Sequence, residues 1–594
     1  MPVYYIFYQM TTIRKYFITP LFLLLNTLVM SAGATTCGSV NDNLTTVNKQ
    51  QNLPLIAITT NSPLNAQQKV MAYMKTDGYD GHIAIKLRGN SSLGFNQKKY
   101  TVVTCDADGN DVNVSLLGLP EHSNWVLLAP YNDISMMRDP LAFQLWRDMG
   151  HWGPRTVMCE LTLDGDYRGI YILAEAIKLG KERVNIDKMT ADDIHGNPLT
   201  GGYLLRIDTY DEDDATFTSK IPGIGEGIMS SQVIWSCIYP KKKNLQPQQM
   251  DYIQSYVDTV ERVIQSDFFD DPQNGYAKYI DVQSFVDYFI HTELSLNADA
   301  YKRSAYFYKE RQYEDGTGGK LFAGPVWDYN LAYGNCNFAN ANNLEAWCYE
   351  GASNNPTPAL WQRLLQDPAF RLAVKQRYKQ LRKGILSIHN LYAFIDRQAE
   401  LVSEATERHF NTYPELLVSE ERKQQMAQIQ QFFEQMSQHN HFDDNNLGGF
   451  IPPFGAFPND SIHGGGFFPF AAFPNDSIHG GGFFPFAAFP NDSIHGNAFP
   501  PFGEFPEGGA PFEFGPPLED GMFQFDMLGM FAAYRVSTYE EEISILKKWL
   551  ADRLAFLDSN IERFDSGWEP RIQPLIEKKF EFPEGGFPFW GPLE

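Results

Sequence analysis

The chain has 594 residues, and its 72 acidic against 48 basic side chains leave a formal net charge of −24. Hydrophobic residues at 43% and charged residues at 20% supply a large core and exclude a wholly disordered chain. The acidity argues against a nucleic-acid binder, which needs a basic footprint to displace phosphate counterions.

At the N-terminus, Arg14 and Lys15 precede an apolar run from Tyr16 to Met30, and Ala32-Gly33-Ala34 follows as an A-x-A site. That order predicts a secretory signal peptide over 1–34, cleaved near Ala34, and a secreted, cell-surface or periplasmic protein. The run falls short of the about 20 apolar residues that a spanning helix needs. No later segment is apolar and long enough, so no transmembrane segment is expected in the mature chain. Six cysteines permit disulfides in an exported protein, Cys336 with Cys348 closing the shortest loop, with buried free thiols as the alternative.

From about 50 to 240 the pattern favours strands. Ile83–Leu87, Tyr100–Val103 and Val157–Leu163 are candidates. Leu163-Asp164-Gly165-Asp166-Tyr167 reads as a hairpin turn returning through Gly169–Leu173. Apolar spacings of three and four then predict helices over Met250–Ser266 and Val282–Leu296. A strand pair follows at Ala305–Tyr308 and Leu321–Val326, and residues 358–440 are again helical in pattern. Strands first and helices afterwards predict an α+β fold in two lobes, strand-rich N-terminally and helical C-terminally.

The composition then changes. Residues 441–530 hold no Lys or Arg, eleven acidic residues and 19 of the 44 Phe. Phe-Pro-Asn-Asp-Ser-Ile-His-Gly begins at Phe457, Phe473 and Phe489, a period of 16. Gly and Pro at this frequency forbid long helices or ladders, so 441–530 is expected to be a disordered, low-complexity insert. The repeated Ser461, Ser477 and Ser493 invite phosphorylation in cis, although a plain linker role suits them better. Helical pattern resumes at Ser537 and runs through Ile543–Leu557, so 531–565 is expected to complete the domain begun at 35–440. A low-complexity tail, 566–594, returns to the vocabulary of the insert.

Three clusters carry candidate chemistry. Arg88-Gly89-Asn90-Ser91-Ser92 followed by Lys98-Lys99-Tyr100 sets free backbone amides and ammonium groups where anionic oxygens would bind. Taken alone, that string suits a surface loop better. Asn297-Ala298-Asp299 follows a helix, and Trp327-Asp328-Tyr329-Asn330 follows a strand. Carboxylates at such ends serve as a base and a Mg²⁺ ligand, or simply as helix-end and turn residues.

In order and together the clusters are more specific. LRGNSSLGFNQKKY (87–100), the stretch from Trp125 to Leu145, ELTLDGDYRGIYILAEAIKLGKERVNI (160–186), GGYLLRID (201–208), LNADAYKRSAYFY (296–308) and GKLFAGPVWDYNLAYGN (319–335) resemble the CotH kinase family. These are secreted or spore-coat proteins with a protein-kinase-like fold. The resemblance covers roughly 430 residues, 441–530 and the tail excepted. It implies that Lys98, or alternatively Lys99, holds the nucleotide α/β-phosphates, with Arg88, Ser91 and Ser92 around them and Glu175 as the lysine's ion-pair partner. It implies that Asp299 is the catalytic aspartate, and that Asp328, with Asn330, binds metal. ATP and Mg²⁺ are the implied cofactors, and a protein Ser/Thr, in another protein or in this chain, is the implied acceptor.

Two departures qualify the match. The Asn that ordinary kinases carry five residues after the catalytic Asp is Ser304 here, a poorer magnesium ligand. No ordinary Gly-rich loop is present, Gly89–Gly94 being the nearest equivalent. Competing readings are a non-catalytic adhesin or coat-type scaffold, which the Phe-rich repeats would suit, and another transfer chemistry such as nucleotidylation. The presence of Asp299, Asp328 and a lysine pair favours an active kinase.

Overall fold

A strand whose every second side chain is apolar has one face that must leave water. The computed structural model describes residues 53–210, 214–224, 232–351, 357–420, 423 and 536–571. In it, seven such strands solve the problem by closing on themselves. They are β1 (Leu55–Thr60), β2 (Val70–Thr76), β3 (Tyr79–Arg88), β4 (Lys99–Thr104), β5 (Asn124–Leu128), β6 (Thr156–Leu163) and β7 (Asp166–Glu175). The barrel order is β1-β2-β3-β4-β5-β7-β6. Neighbours are antiparallel except at the closure, where β1 runs parallel to β6 with Leu55 opposite Glu160. Alternate residues such as Ile56, Ile58, Ile83, Ile85, Trp125 and Leu127 fill the interior.

The outer face of the barrel is apolar on one side only. Val126, Leu128, Met158, Ile170 and Ile172 turn outward into a second core shared with the helix α1 (Arg138–Asp148) through its Leu141 and Trp146. That helix interrupts the strand-rich stretch. After it the chain runs through β8 (Tyr203–Ile207), β9 (Ala215–Thr218), β10 (Gly223–Ile224) and β11 (Ile234–Tyr239), with the single turn α2 (Gly196–Leu199) before them. The helices α3 (Pro247–Gln265) and α4 (Val282–Ser295) follow, then β12 (Ala305–Lys309), β13 (Leu321–Ala323) and β14 (Thr357–Pro358). A five-stranded antiparallel sheet has the order β13-β12-β8-β11-β9, and β10 pairs with β14. The helices α5 (Leu360–Leu364), α6 (Pro368–Arg382), α7 (Ile388–Thr412) and α8 (Tyr539–Ile561) complete the described body. The fold is thus mixed α+β, with strands early and helices later.

Local chemistry explains most boundaries. The β6–β7 hairpin turns at Asp164 (φ 54°) and Gly165 (φ 88°), left-handed positions that Asp and Gly tolerate. The β13 strand stops three residues short of the expected Val326, because Gly324 (φ 101°) and Pro325 cannot continue a ladder. Thr538 caps α8 by accepting from the Glu541 N–H at 3.1 Å, and the first turn carries Glu540, Glu541 and Glu542, which favour the positive end of the helix dipole.

One expectation is corrected. Cys105, Cys159, Cys237, Cys336 and Cys348 are free thiols. Cys336 and Cys348 do not bridge, since their sulfurs face different carbonyls, those of Phe338 (3.7 Å) and Thr292 (3.8 Å). The expected signal peptide, repeats and tail from 572 lie outside the described residues. Among the described residues no helix is long and apolar enough to cross a membrane.

Candidate active site

The register of β3 against β4 sets the basic side of the site. Leu87 pairs with Tyr100 and Arg88 with Lys99. Tyr100 and Val102 point into the barrel, so Lys99, one step out of phase, points away from it. Its Nζ lies 3.6 Å from Asp328 Oδ1. Arg88, on the same outer face, holds its guanidinium 4.9 Å over the Trp327 ring. The cross-strand pair Arg88 and Lys99 therefore grips two consecutive residues, Trp327 and Asp328. Lys98 points to the other side and donates to the Leu93 carbonyl at 2.7 Å. The preference for Lys98 is thus reversed: Lys99 is the lysine at the carboxylates. Ser91 and Ser92 sit on a 3₁₀ turn between β3 and β4, Ser92 buried and Ser91 exposed. A Cβ at Gly89 (φ 124°) would collide with the Ser92 hydroxyl, so this turn is open only to glycine.

The acidic side comes from loops that follow β8, α4 and β13. Helix α4 ends at Leu296 in a left-handed cap (φ 47°), which swings Asn297 towards the Asp328 loop. The buried Asn297 donates to the Asp328 carbonyl at 3.4 Å and accepts the Asp299 N–H at 3.2 Å, linking the two candidate aspartates. Asp328 itself is left-handed (φ 65°), a conformation that is costly outside Gly, Asn and Asp and recurs at functional sites. Asn330 donates through its amide to Asn132 Oδ1 at 2.8 Å, which fixes its side-chain plane beside the loop. Ser304 donates to Asp208 Oδ2 at 3.4 Å, because β12 and β8 are neighbours with Ala305 opposite Ile207. A third carboxylate thus stands where the missing catalytic-loop Asn drew attention.

Two expected or unexpected partners change the picture of the lysine. Glu175 does not pair with it. The Glu175 side chain is fully buried at the end of β7 and is held by Arg155 at 2.9 Å and by Arg183, so its charge is already satisfied on another part of the barrel. Asp139, in the first turn of α1, stands near Lys99 and Asp328 instead. Its Oδ1 accepts the Tyr329 N–H at 2.6 Å, and it is 5% exposed. Burial and the neighbouring Asp328 push its carboxyl well above the usual range, while Lys99 pulls it back. Burial likewise raises Asp299 to about 6, with Arg303 opposing and Asp328 adding to the shift. Burial raises Asp208, with Arg206 opposing and Asp328 again adding. Lys302 is drawn down to about 8 by burial, and Asp299 opposes that shift.

An excess of half-buried negative charge facing Lys99 and Arg88 suits a cation carried in with anionic phosphates. Among the described residues no three acidic, Cys or His groups converge closely enough to hold a metal by themselves. The residues present therefore fit Mg²⁺ held by one or two carboxylates and substrate phosphates, its usual mode at nucleotide sites. Asp328 and Asp208, two carboxylates near enough for one to raise the pKa of the other, would be its oxygen donors.

The two lysines can be separated directly. Lys99→Ala is expected to lower kcat/KM for ATP by about 10²-fold, the loss of a charge-assisted phosphate contact. Lys98→Ala is expected to stay within about threefold of wild type. Steady-state kinetics on both variants checks the assignment; the reverse order would return the role to Lys98.

A protein-family model described as CotH kinase protein matches residues 85–439, more than half of the chain. No curated protein matches the chain.

Proposed function

The chain belongs to the CotH kinase protein family, and from that premise we propose that it is an exported protein Ser/Thr kinase that uses ATP with Mg²⁺. The family implies use of ATP; the metal, the acceptor and the export belong to the proposal. The observation that carries it is the meeting of Lys99 with Asp328 at 3.6 Å, with Asp299 tied to the same loop through Asn297. Bound Mg²⁺-ATP supplies the transferable phosphoryl group and neutralises charge on its oxygens.

The chain's own residues do the rest by position and charge. Lys99 and Arg88 offer cations to phosphate oxygens, and Asp139 holds the Tyr329 amide so that the Asp328 carboxylate stays aimed at Lys99. Asp299 orients an acceptor hydroxyl and takes its proton. A carboxylate raised to about 6 is a better base than an ordinary one, yet is still ionised near neutrality. The hydrogen bond from Ser304 to Asp208 supplies a carboxylate oxygen beside the position where ordinary kinases carry Asn. The signal-peptide pattern over 1–34 supports export.

A transfer assay with labelled ATP on wild type, Asp299→Ala and Asp328→Ala tests the reading. Both variants are expected to lose signal; equal signal in all three would overturn it. If no nucleotide, with or without Mg²⁺, shifts the melting temperature, the scaffold reading takes its place.

The pH dependence follows from the Asp299 shift. Its folded pKa is raised, so the proton-accepting form is lost as pH falls through about 6. The expected kcat/KM therefore rises with pH and levels off above about 7, with an apparent pKa near 6. Measured profiles of wild type and Asp299→Asn check this; a flat wild-type profile between pH 5 and 7 would remove Asp299 as the base.

A further inference from the structure

The family match ends at residue 439, yet one side chain from far beyond it reaches the edge of the candidate active site. Arg138, the first residue of α1, is fully buried, and so is Glu542 on α8. Arg138 Nη1 lies 2.7 Å from Glu542 Oε1 and 2.5 Å from Asp133 Oδ1. Its Nε donates to the Ala332 carbonyl at 3.1 Å, within the loop that begins at Asp328. The next residue along α1 is Asp139, which holds the Tyr329 N–H. Asn132, just before the helix, accepts from Asn330 through its side chain (2.8 Å) and from Asn335 through its carbonyl (2.6 Å). Segment 132–139 thus grips the 328–335 loop at four points.

Helix α8 in turn fixes that segment. Besides Glu542 on Arg138, Tyr539 donates to the Ser135 carbonyl at 3.1 Å. Trp549 lies edge-on to Tyr333 (6.0 Å between centroids) and fills the space that any Cβ on Gly334 would need. The helix does not need an ion pair to dock, since Leu546, Leu550, Leu554 and Leu557 are already buried and a buried pair seldom adds net stability over apolar packing. What a buried, bidentate-capable guanidinium adds is direction. Glu542 and Asp133 hold one end of Arg138, so that the other end points at Ala332.

We propose that Glu542 is a positioning residue for phosphoryl transfer, acting through Arg138 on Asp139 and on the loop that carries Asp328. This rests on the kinase reading given above. The test uses the full-length chain and two readouts, of which the first needs no activity.

In Glu542→Gln, amide hydrogen exchange across 327–335 in the nucleotide-free protein is expected to speed up at least tenfold, while the barrel strands stay unchanged. In transfer assays kcat is expected to fall about tenfold with KM for ATP within about threefold, and Glu542→Asp to recover most of the loss. Leu557→Ala, which loosens the same helix at its far end, is the structural control: it lowers the melting temperature and leaves kcat within about twofold. If Glu542→Gln fails to fold, Arg138→Lys is read in the same way. Unchanged exchange at 327–335, faster exchange without a fall in kcat, or an equal kcat loss in Leu557→Ala would each overturn the proposal. A wild type that transfers no phosphate overturns the kinase reading alone, because the exchange measurement still decides whether Glu542 orders the loop.

Discussion

Asp328→Asn is expected to lower kcat by about 10³-fold, roughly 4 kcal/mol at the transition state, while the melting temperature stays within a few degrees of wild type. Activity and stability separate here for two reasons. Asn is tolerated in the left-handed conformation that residue 328 adopts (φ 65°), so the backbone turn survives. Asp328 also presses upward on the pKa values of Asp139, Asp208 and Asp299, and removing its charge relieves all three. Against this stands the loss of the Lys99 partner, which Asp139 partly replaces because it already interacts with the same ammonium. Single-turnover transfer and thermal unfolding in one buffer check the pair of outcomes. Activity within tenfold of wild type would deny Asp328 its role, and a collapse of the melting temperature would make the loop's charge structural.

The largest stability effect is expected at Arg553. This side chain is fully buried. It donates to the Glu293 carbonyl at 2.9 and 2.6 Å and to the Ala346 carbonyl at 2.8 Å, with the Glu293 carboxylate 3.8 Å away. Glu293 is fully buried too, accepting from Tyr301 (3.0 Å) and from the Cys348 and Tyr349 amides (2.7 and 2.9 Å). Its carboxyl is pushed up to about 7 by burial, with Arg553 opposing. Arg553→Met strands the carbonyls of Glu293, Leu344 and Ala346 and a buried carboxylate, and is expected to cost about 3–5 kcal/mol. Adding Glu293→Gln should return part of that loss by removing the unpaired charge. Urea titrations of the single and double variants check it; a loss below 1 kcal/mol would show that water or rearrangement satisfies the pocket.

How far the sequence could be read depended on the range of the determining contact. Asp299 and Asp328 could be picked out as candidates because each stands at the end of an element within a recognisable string, and the helices α3, α4 and α8 could be read from their regular apolar spacing. The choice between Lys98 and Lys99 was not legible, since it turns on whether Tyr100 faces into the barrel and so sends Lys99 outward, and a one-residue slip exchanges the two faces. Glu175 was misread because its partners, Arg155 and Arg183, come from other turns of the barrel. Asp139 was missed for the converse reason. Beside Arg138 in a helix start it reads as a solvated charge pair, and only tertiary packing brings it to Lys99 and Tyr329. The closure of the barrel by a parallel pairing of β1 with β6, a hundred residues apart, leaves no local mark.

The position of α8 along the chain has a consequence in time. Some 150 residues separate the end of α7 at Thr412 from the end of α8 at Ile561. At ribosomal speeds of roughly 5–20 residues per second, that is roughly 7–30 s of synthesis. Throughout that interval the apolar seat of Leu546, Leu550, Leu554 and Leu557 is uncovered, and Arg138 and Glu293 lack Glu542 and Arg553. The nascent chain therefore emerges with its barrel complete and its charged interior unmatched, a stage at which a chaperone has both a surface to hold and a reason to hold it.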